Sequence, residues 1–237
     1  MTNRRSLKSR LAWFFFVKLP LAFVILTVLW VTILKWMPVV VTPLMVSRAI
    51  EYREDDGFRT QKKWVSLKKI SPEMMKAVIA SEDNRFMDHK GFDMVEMRKA
   101  IDDHKNKGKK LRGASTISQQ VAKNVFCRPR RSFVRKGFEA YYTVLIEKIW
   151  GKERIMEVYL NVAEMGKGIY GAEAAARHYF DHSASDYTRR EACLVTACLP
   201  NPIERNPAKP SSYVSKRARD IADLEGKLDY PDWAVRK

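Results

Sequence analysis

Sixteen consecutive residues without a charge, Leu19 to Leu34, constrain this chain more than any other feature. Extended by Trp13–Val17 before Lys18, or by Trp36–Val41 after Lys35, the run reaches the roughly 20 residues that a membrane-spanning helix needs. Lys18 and Lys35 can reach the two interfaces with their charged heads, and Trp13, Trp30 and Trp36 suit the interfacial belts. Arg4, Arg5, Lys8 and Arg10 come before the run, and no acid occurs up to Ile50. The positive-inside rule then makes residues 1–12 a basic cytoplasmic tail and 13–41 a single-pass anchor, with everything beyond outside. A cleaved signal peptide is the competing reading, but the run is long for one and no clean small-x-small site follows it. Under either reading the bulk of the chain is exported, which argues against nucleic acid as its partner.

The exported part has material for a core: 46% of the 237 residues are hydrophobic. A formal charge of +17 calls for anionic partners such as a lipid surface or a phosphorylated substrate. Cys127, Cys193 and Cys198 have no metal-ligand spacing, and an odd number excludes a full disulfide framework. They read as small buried thiols. His178 and His182 are four apart, a spacing that can bind zinc. With Tyr179 and Phe180 between them and no third ligand in sight, they read as packing residues.

Helical signals dominate beyond the anchor, and alternating strand patterns are scarce. Residues 42–70 read as a charged connector. Ser71-Pro72-Glu73 is a helix start, with a Ser cap, Pro in the first turn and an acid beside it, and that helix runs to about Asn84. Ile101–Arg112, with five cations around Gly108, reads as a mobile basic loop. Ser115 is expected to cap a helix ending near Phe126, and Ser132 a long one from Phe133 to Trp150. Further helices are expected over Lys152–Val162, Ala172–Phe180 and Glu191–Leu199, with Gly166, Gly168 and Gly171 punctuating a loop between the first two. The expected main domain is residues 71–237, mainly α.

Three places carry chemistry. Glu82 and Asp83 stand at the C-terminal end of the first exported helix, where the dipole disfavours negative charge. A glutamate so placed suits proton transfer, although an isolated Glu-Asp pair also fits an ordinary solvated helix end. In the next helix Gln119 and Gln120 lie four and three residues before Lys123, so all share one region of its surface, with Thr116 a turn earlier. Amides plus an ammonium can hold a pyrophosphate or sugar hydroxyls; a polar solvent face is the bland alternative. In the third helix Arg135, Lys136 and Glu139 form either a charged site or an intrahelical ion pair.

Taken in order, the strings "EDNRFMDHKG" at 82–91, "GASTISQQVAKN" at 113–124, "RKGFE" at 135–139 and "KERIMEVYLN" at 152–161 resemble the peptidoglycan glycosyltransferases. This is the lysozyme-like family that polymerises lipid II into glycan strands for cell-wall biogenesis and cell shape. The resemblance covers about Lys69 to Pro207, and the anchor with no further domain resembles the monofunctional branch. It implies a lysozyme-like helical catalytic domain behind one transmembrane helix at the bacterial inner membrane. It makes Glu82 the general base and Glu139 a second catalytic carboxylate on the leaving-group side, and it allows a divalent cation (Mg or Mn) at the pyrophosphate. Lys123, Arg131, Arg135 and Lys136 would neutralise the pyrophosphate. Ser115, Thr116, Gln119, Gln120 and Asn124 would position ligands, and Asp83, Phe86, His89 and Gly91 would shape the first motif. Glu157 and Asn161 are expected to be structural. Ala114 and Ser118 stand where the family often has Gly and Thr, and Cys127 is unusual there. Ser66 to Lys69 matches a Ser-x-x-Lys pattern but has no Lys-Thr-Gly partner and is set aside.

Two rivals fit part of this pattern. A muramidase or lytic transglycosylase would use one Glu and supporting amides, but it has no pyrophosphate to neutralise with the cationic set. A non-enzymatic anchored scaffold for cell-wall assembly, its basic surface binding anionic lipid, would explain the charge but leaves the Glu82 and Gln119-Gln120 blocks without a reason; for the enzyme, cell-wall synthesis or division proteins are the expected protein partners.

Overall fold

The computed structural model describes residues 11–108, 115–130 and 132–235. The chain divides into two compact units, Met1–Met37 and Pro38–Lys237. The first contains one continuous helix, Leu11–Ile33, whose 23 residues span about 35 Å, enough to cross a bilayer core. After three α-helical residues it passes through a π-helical turn, Phe14–Lys18, and continues as α1, Leu19–Ile33. Pro20 accounts for the turn. Its ring displaces the carbonyl four residues back, and Leu19 N–H donates instead to Phe14 O, five residues back. The hydroxyls of Thr27 and Thr32 donate to Phe23 O and Val28 O at 2.9 and 2.7 Å, so neither is left unpaired within the apolar helix. Of the two ways to lengthen the uncharged run, the helix uses Trp13–Val17; Trp36–Val41 falls beyond its end.

The second unit is helical with one small sheet. It begins earlier than the expected main domain, because the stretch read as a connector folds with it. Helix α2, Pro43–Glu51, is capped by Thr42. Strand β1, Gln61–Lys62, pairs in parallel with β3, Ile169–Tyr170, which is antiparallel to β2, Glu164–Gly166. The glycine-punctuated loop is therefore a short hairpin. Asn161 and Glu157 secure the connector's far end. Asn161 accepts from Val65 N and donates to Val65 O, both at 2.9 Å, and Glu157 accepts from Leu67 N.

Helix α3, Pro72–Glu82, lies at the centre. Ser71 caps it, and Met74, Met75, Ala77, Val78, Ile79 and Ala80 are buried around most of its circumference. Asp93 caps α4, Met94–Lys107, which ends at Gly108 in the left-handed region. This corrects the expected basic loop: Lys and Arg are good helix formers, and Gly108 marks a helix stop, not a loop centre. Residues 109–112 lie outside the described residues. Helix α5, Ile117–Phe126, is capped by Thr116 and not by Ser115, because Gln119 stands three residues after Thr116 and completes a capping box with it. Ser132 caps α6, Phe133–Ile149, as expected.

Helices α7, Lys152–Val162, and α8, Ala172–Phe180, match the expected bounds. Helix α9, Arg189–Cys198, starts two residues early at a Thr188–Glu191 capping box. Helix α10, Ser212–Glu225, was not anticipated; it buries Val214, Ala218, Ile221 and Glu225, one stripe at helical spacing. A last turn, α11, spans Asp232–Val235. Helices α9, α10 and α11 pack on α3, and α5 packs on α6, α7 and α2. All three cysteines are free and buried. His178 and His182 do not converge on a ligand: His182 Nε2 lies 3.3 Å from Glu191, and His178 meets Tyr179 edge-on.

Gly171 joins the hairpin to α8 at φ +83, and an added Cβ would lie 2.8 Å from Asn161 O and 2.9 Å from its Cα. Both neighbours are backbone and cannot yield cheaply. Gly171→Ala is expected to destabilise the protein by at least about 2 kcal/mol, read as a lower thermal midpoint in detergent; an unchanged midpoint would show that the hairpin junction can move.

Candidate active site

The site forms where α3 ends and α5 begins, and Asp83 joins them. Its carboxylate is buried and each oxygen accepts one hydrogen bond: Oδ1 from His89 Nε2 at 2.9 Å and Oδ2 from Ile117 N at 3.0 Å. A carboxylate at the first amide of a helix also complements the dipole there. His89 Nδ1 accepts from Gly91 N at 3.1 Å, so Nε2 carries the proton given to Asp83. The Thr116 hydroxyl donates to Gly91 O at 2.7 Å. Thr116 N donates to Gln119 Oε1 at 3.0 Å, and Gln119 N donates back to Thr116 Oγ1 at 3.2 Å. Phe86 is fully buried, with Lys152 Nζ 4.4 Å from its ring centroid. Asp83, Phe86, His89, Thr116 and Gln119 thus build the frame. The expected ligand-positioning side chains Thr116 and Gln119 devote their oxygens to the helix cap.

Glu82, the last residue of α3, is half-buried and faces open space. Gln120 Nε2 donates to its Oε2 at 2.9 Å, and the Ser81 hydroxyl approaches its Oε1 at 3.4 Å. A cavity of about 360 Å³ runs along Glu82, Asn84, Asp93, Glu96 and Ser115. Its lining is largely acidic or neutral, with Lys99 as the cation among the described residues.

Ser115 is shared with a second cavity of about 310 Å³, lined by Gln119, Gln120, Lys123, Arg135, Lys136 and Glu139. Here three cations face one carboxylate. Glu139 is buried, and its oxygens accept from Arg135 Nη1 at 2.7 Å and from Lys136 Nζ. The intrahelical ion pair weighed from the sequence is real, and it lines the cavity as well. Among the described residues no carboxylate closes an ion pair with Lys123. Burial foremost depresses its proton affinity below the ordinary 10.5; Glu139 opposes the shift, while Arg135 and Lys136 reinforce it. Burial and the Glu139 charge push the Cys127 thiol up to about 11, so it is no nucleophile here.

A third cavity of about 250 Å³ lies against Gln120, Lys123, Asn124 and Tyr159, and is closed by Arg48 of α2 and Glu164 of β2. Arg48 Nε lies 3.2 Å from Glu164. Beside the cationic cavity an apolar hollow of about 390 Å³ is formed by Phe126, Val134, Phe138 and Tyr142, with Arg128, Arg130 and Arg135 around it.

The structure therefore brings Ser115, Gln120, Lys123, Asn124, Arg135, Lys136 and Glu139 onto connected cavities, with Glu82 at one end. Arg131 lies outside the described residues. Arg48, Tyr159 and Glu164 went unnoticed in the sequence. Arg48 sits in what read as a connector, and Tyr159 lies inside the fourth block between two residues taken as structural.

The cationic cavity does not fit a resident divalent cation. Glu139 is its one carboxylate among the described residues, and the three cations around it oppose a further positive charge. The one cluster of potential ligands found among the described residues, Asp83, His89 and Asp93, is occupied. His89 donates to Asp83, and Asp93 Oδ1 accepts from Val95 N and Glu96 N.

Comparison with known proteins agrees with this geometry. The family model described as Transglycosylase matches residues 47–224. A biosynthetic peptidoglycan transglycosylase of Bacteroides thetaiotaomicron is 55% identical over 199 residues, 84% of this chain and 80% of that protein. Those of Caulobacter vibrioides and Stutzerimonas stutzeri are 49% identical over 83% of each chain and 43% identical over 91% of this chain and 94% of theirs. A family match across most of the folded unit, and relatives this similar over more than four-fifths of the chain, show that it belongs to the transglycosylase family.

Proposed function

We propose that this enzyme polymerises lipid II into β-1,4-linked glycan strands, with Glu82 as general base. The observation that carries the reading is the pairing of a half-buried glutamate, facing a cavity in which Lys99 is the cation among the described residues, with an adjoining cavity where Lys123, Arg135 and Lys136 converge. The acceptor sugar's 4-hydroxyl gives its proton to Glu82, and its oxygen bonds to the donor's anomeric carbon. The bond from that carbon to the pyrophosphate oxygen breaks, and the electron pair leaves on undecaprenyl pyrophosphate. Attack opposite the leaving group turns an α-linked phosphate into a β-glycoside, so configuration inverts.

The cations stabilise charge that grows on the departing oxygen, which is where fixed positive groups accelerate a reaction. Glu139, expected as the second catalytic carboxylate, serves the leaving-group side through those cations. It holds Arg135 and Lys136 at the cavity and helps keep Lys123 protonated. A divalent cation at the pyrophosphate would draw its ligands from substrate oxygens. The helix Leu11–Ile33 suits an anchor that holds the catalytic unit at the inner membrane, N-terminus in the cytoplasm, next to a lipid-linked substrate. Cell-wall synthesis or division proteins are the partners such an enzyme would work beside; nucleic acid is not.

The deciding experiment incubates the detergent-solubilised protein with lipid II and sizes the products on a gel. Polymer is expected. Fragments released from preformed glycan, with no polymer, would make it a muramidase or lytic transglycosylase.

The depressed Lys123 adds a pH prediction. Burial disfavours the ammonium, so the folded protein is least favoured where Lys123 is charged and gains stability as pH rises from the depressed value toward 10.5. A pyrophosphate reverses that preference, so binding takes up a proton and weakens as pH rises through the depressed value. Affinity for undecaprenyl pyrophosphate, titrated from about pH 7 to about pH 10, is expected to fall earlier in the wild type than in Lys123→Arg, whose guanidinium stays charged. Identical profiles would remove Lys123 from the pyrophosphate site.

A further inference from the structure

Each oxygen of Glu82 leads away from the cleft to a residue to which no role has yet been given. Gln120 Nε2 donates to Oε2 at 2.9 Å, and the same amide turns its Oε1 toward the Tyr159 hydroxyl at 3.5 Å. A primary amide has one donating end and one accepting end. A phenol that donates to the oxygen therefore fixes which end meets the carboxylate. Turned over, the amide would set its oxygen against the oxygens of Glu82. Tyr159 is 1% exposed. Burial foremost, then the charges of Glu82 and Asp83, push its proton affinity well above that of an ordinary phenol, so the hydroxyl stays a donor.

The other oxygen is reached from α10. The Ser81 hydroxyl approaches Glu82 Oε1 at 3.4 Å, and Arg217 Nη2 donates to Ser81 Oγ at 3.2 Å. Arg217 occupies that oxygen as donor and leaves the serine proton free for the carboxylate. Its Nε is buried without a hydrogen-bond partner, so packing holds the guanidinium where it is. A catalytic carboxylate free to rotate would spend part of its time with neither lone pair aimed at the acceptor hydroxyl. Two donors on two oxygens remove that freedom and leave the remaining lone pairs toward the cavity.

We propose that Tyr159, acting through Gln120, and Arg217, acting through Ser81, are positioning residues that hold the Glu82 carboxylate in the orientation from which it takes the acceptor proton. This role rests on Glu82 as the base, as proposed above. Both residues lie outside the cavity beside Glu82, and Tyr159, which borders the third cavity, is too deeply buried to offer that cavity more than an edge, so their loss should register in turnover more than in substrate binding.

A double-mutant cycle tests the relay. Steady-state polymerisation of lipid II is measured for the full-length wild type, Tyr159→Phe, Gln120→Ala and the double variant, with folding checked by circular dichroism and thermal midpoint. Tyr159→Phe keeps the ring and removes the donor. It is expected to lower kcat about three- to tenfold with KM nearly unchanged, and to do nothing further once Gln120 is alanine. The same fall in the Gln120→Ala background would mean that Tyr159 acts by packing, and no fall in either background would mean that it does not act; both overturn the relay. On the second side, Arg217→Met is expected to lower kcat and Arg217→Lys to recover part of it. Equal activity of Met and Lys variants would overturn the role of Arg217. A wild type that makes no polymer would remove the base assignment and this inference with it, whereas an active wild type with an additive cycle overturns the relay alone.

Discussion

The two hydrogen bonds accepted by Asp83 hold the catalytic geometry together. One oxygen takes the proton of His89, the other the first amide of α5. Helix α3 ends at this residue, and the helix carrying Gln120 and Lys123 starts against it. Without that carboxylate the α5 amide and the His89 proton would both be buried unpaired, at a cost of about 1–3 kcal/mol each. Its neighbour Glu82 is left as the member of the pair that faces the cavity. The acidic doublet thus divides into one residue that builds the frame and one that is exposed to the cavity. The backbone enforces the division, because consecutive residues at a helix end point in different directions.

Charge is sorted on either side of this junction. Among the described residues, a chain with a net charge of +17 lines the cavity of its candidate base with one cation, Lys99, and gathers three around the adjoining cavity. The two environments match the two halves of a displacement: one must accept a proton, the other must receive the charge left on a leaving group. Glu139 belongs to the second half by the company it keeps. An unpaired buried carboxylate would be costly, and three unpaired cations would repel one another. Together they form a local cluster whose remaining positive charge awaits an anion.

Much of this was legible in the sequence, and the misses share a cause. The anchor, the cap at Ser132 and helix α7 follow from local rules: absence of charge, capping chemistry and apolar spacing. The motif strings placed Glu82, Lys123 and Glu139 on the right elements. Long-range contacts were not legible. Nothing local shows that Arg48 will meet Glu164, or that Arg217 of α10 will return to Ser81, 136 residues earlier. The three-residue spacing of Thr116 and Gln119 spells a capping box as well as a pair of cavity-lining side chains. The stretch up to Lys107 is helical against the loop expectation, because helix propensity prevails over charge density there.

The central claim is that Glu82 takes the proton. Glu82→Gln keeps the size of the side chain and removes its ability to accept a proton; general-base catalysis typically contributes about 10²- to 10⁴-fold. The most direct measurement is single-turnover polymerisation of lipid II by the full-length variant, alongside its affinity for lipid II and its thermal midpoint. The account predicts a rate lower by that factor, with binding and folding retained. A variant that polymerises at close to the wild-type rate would contradict it.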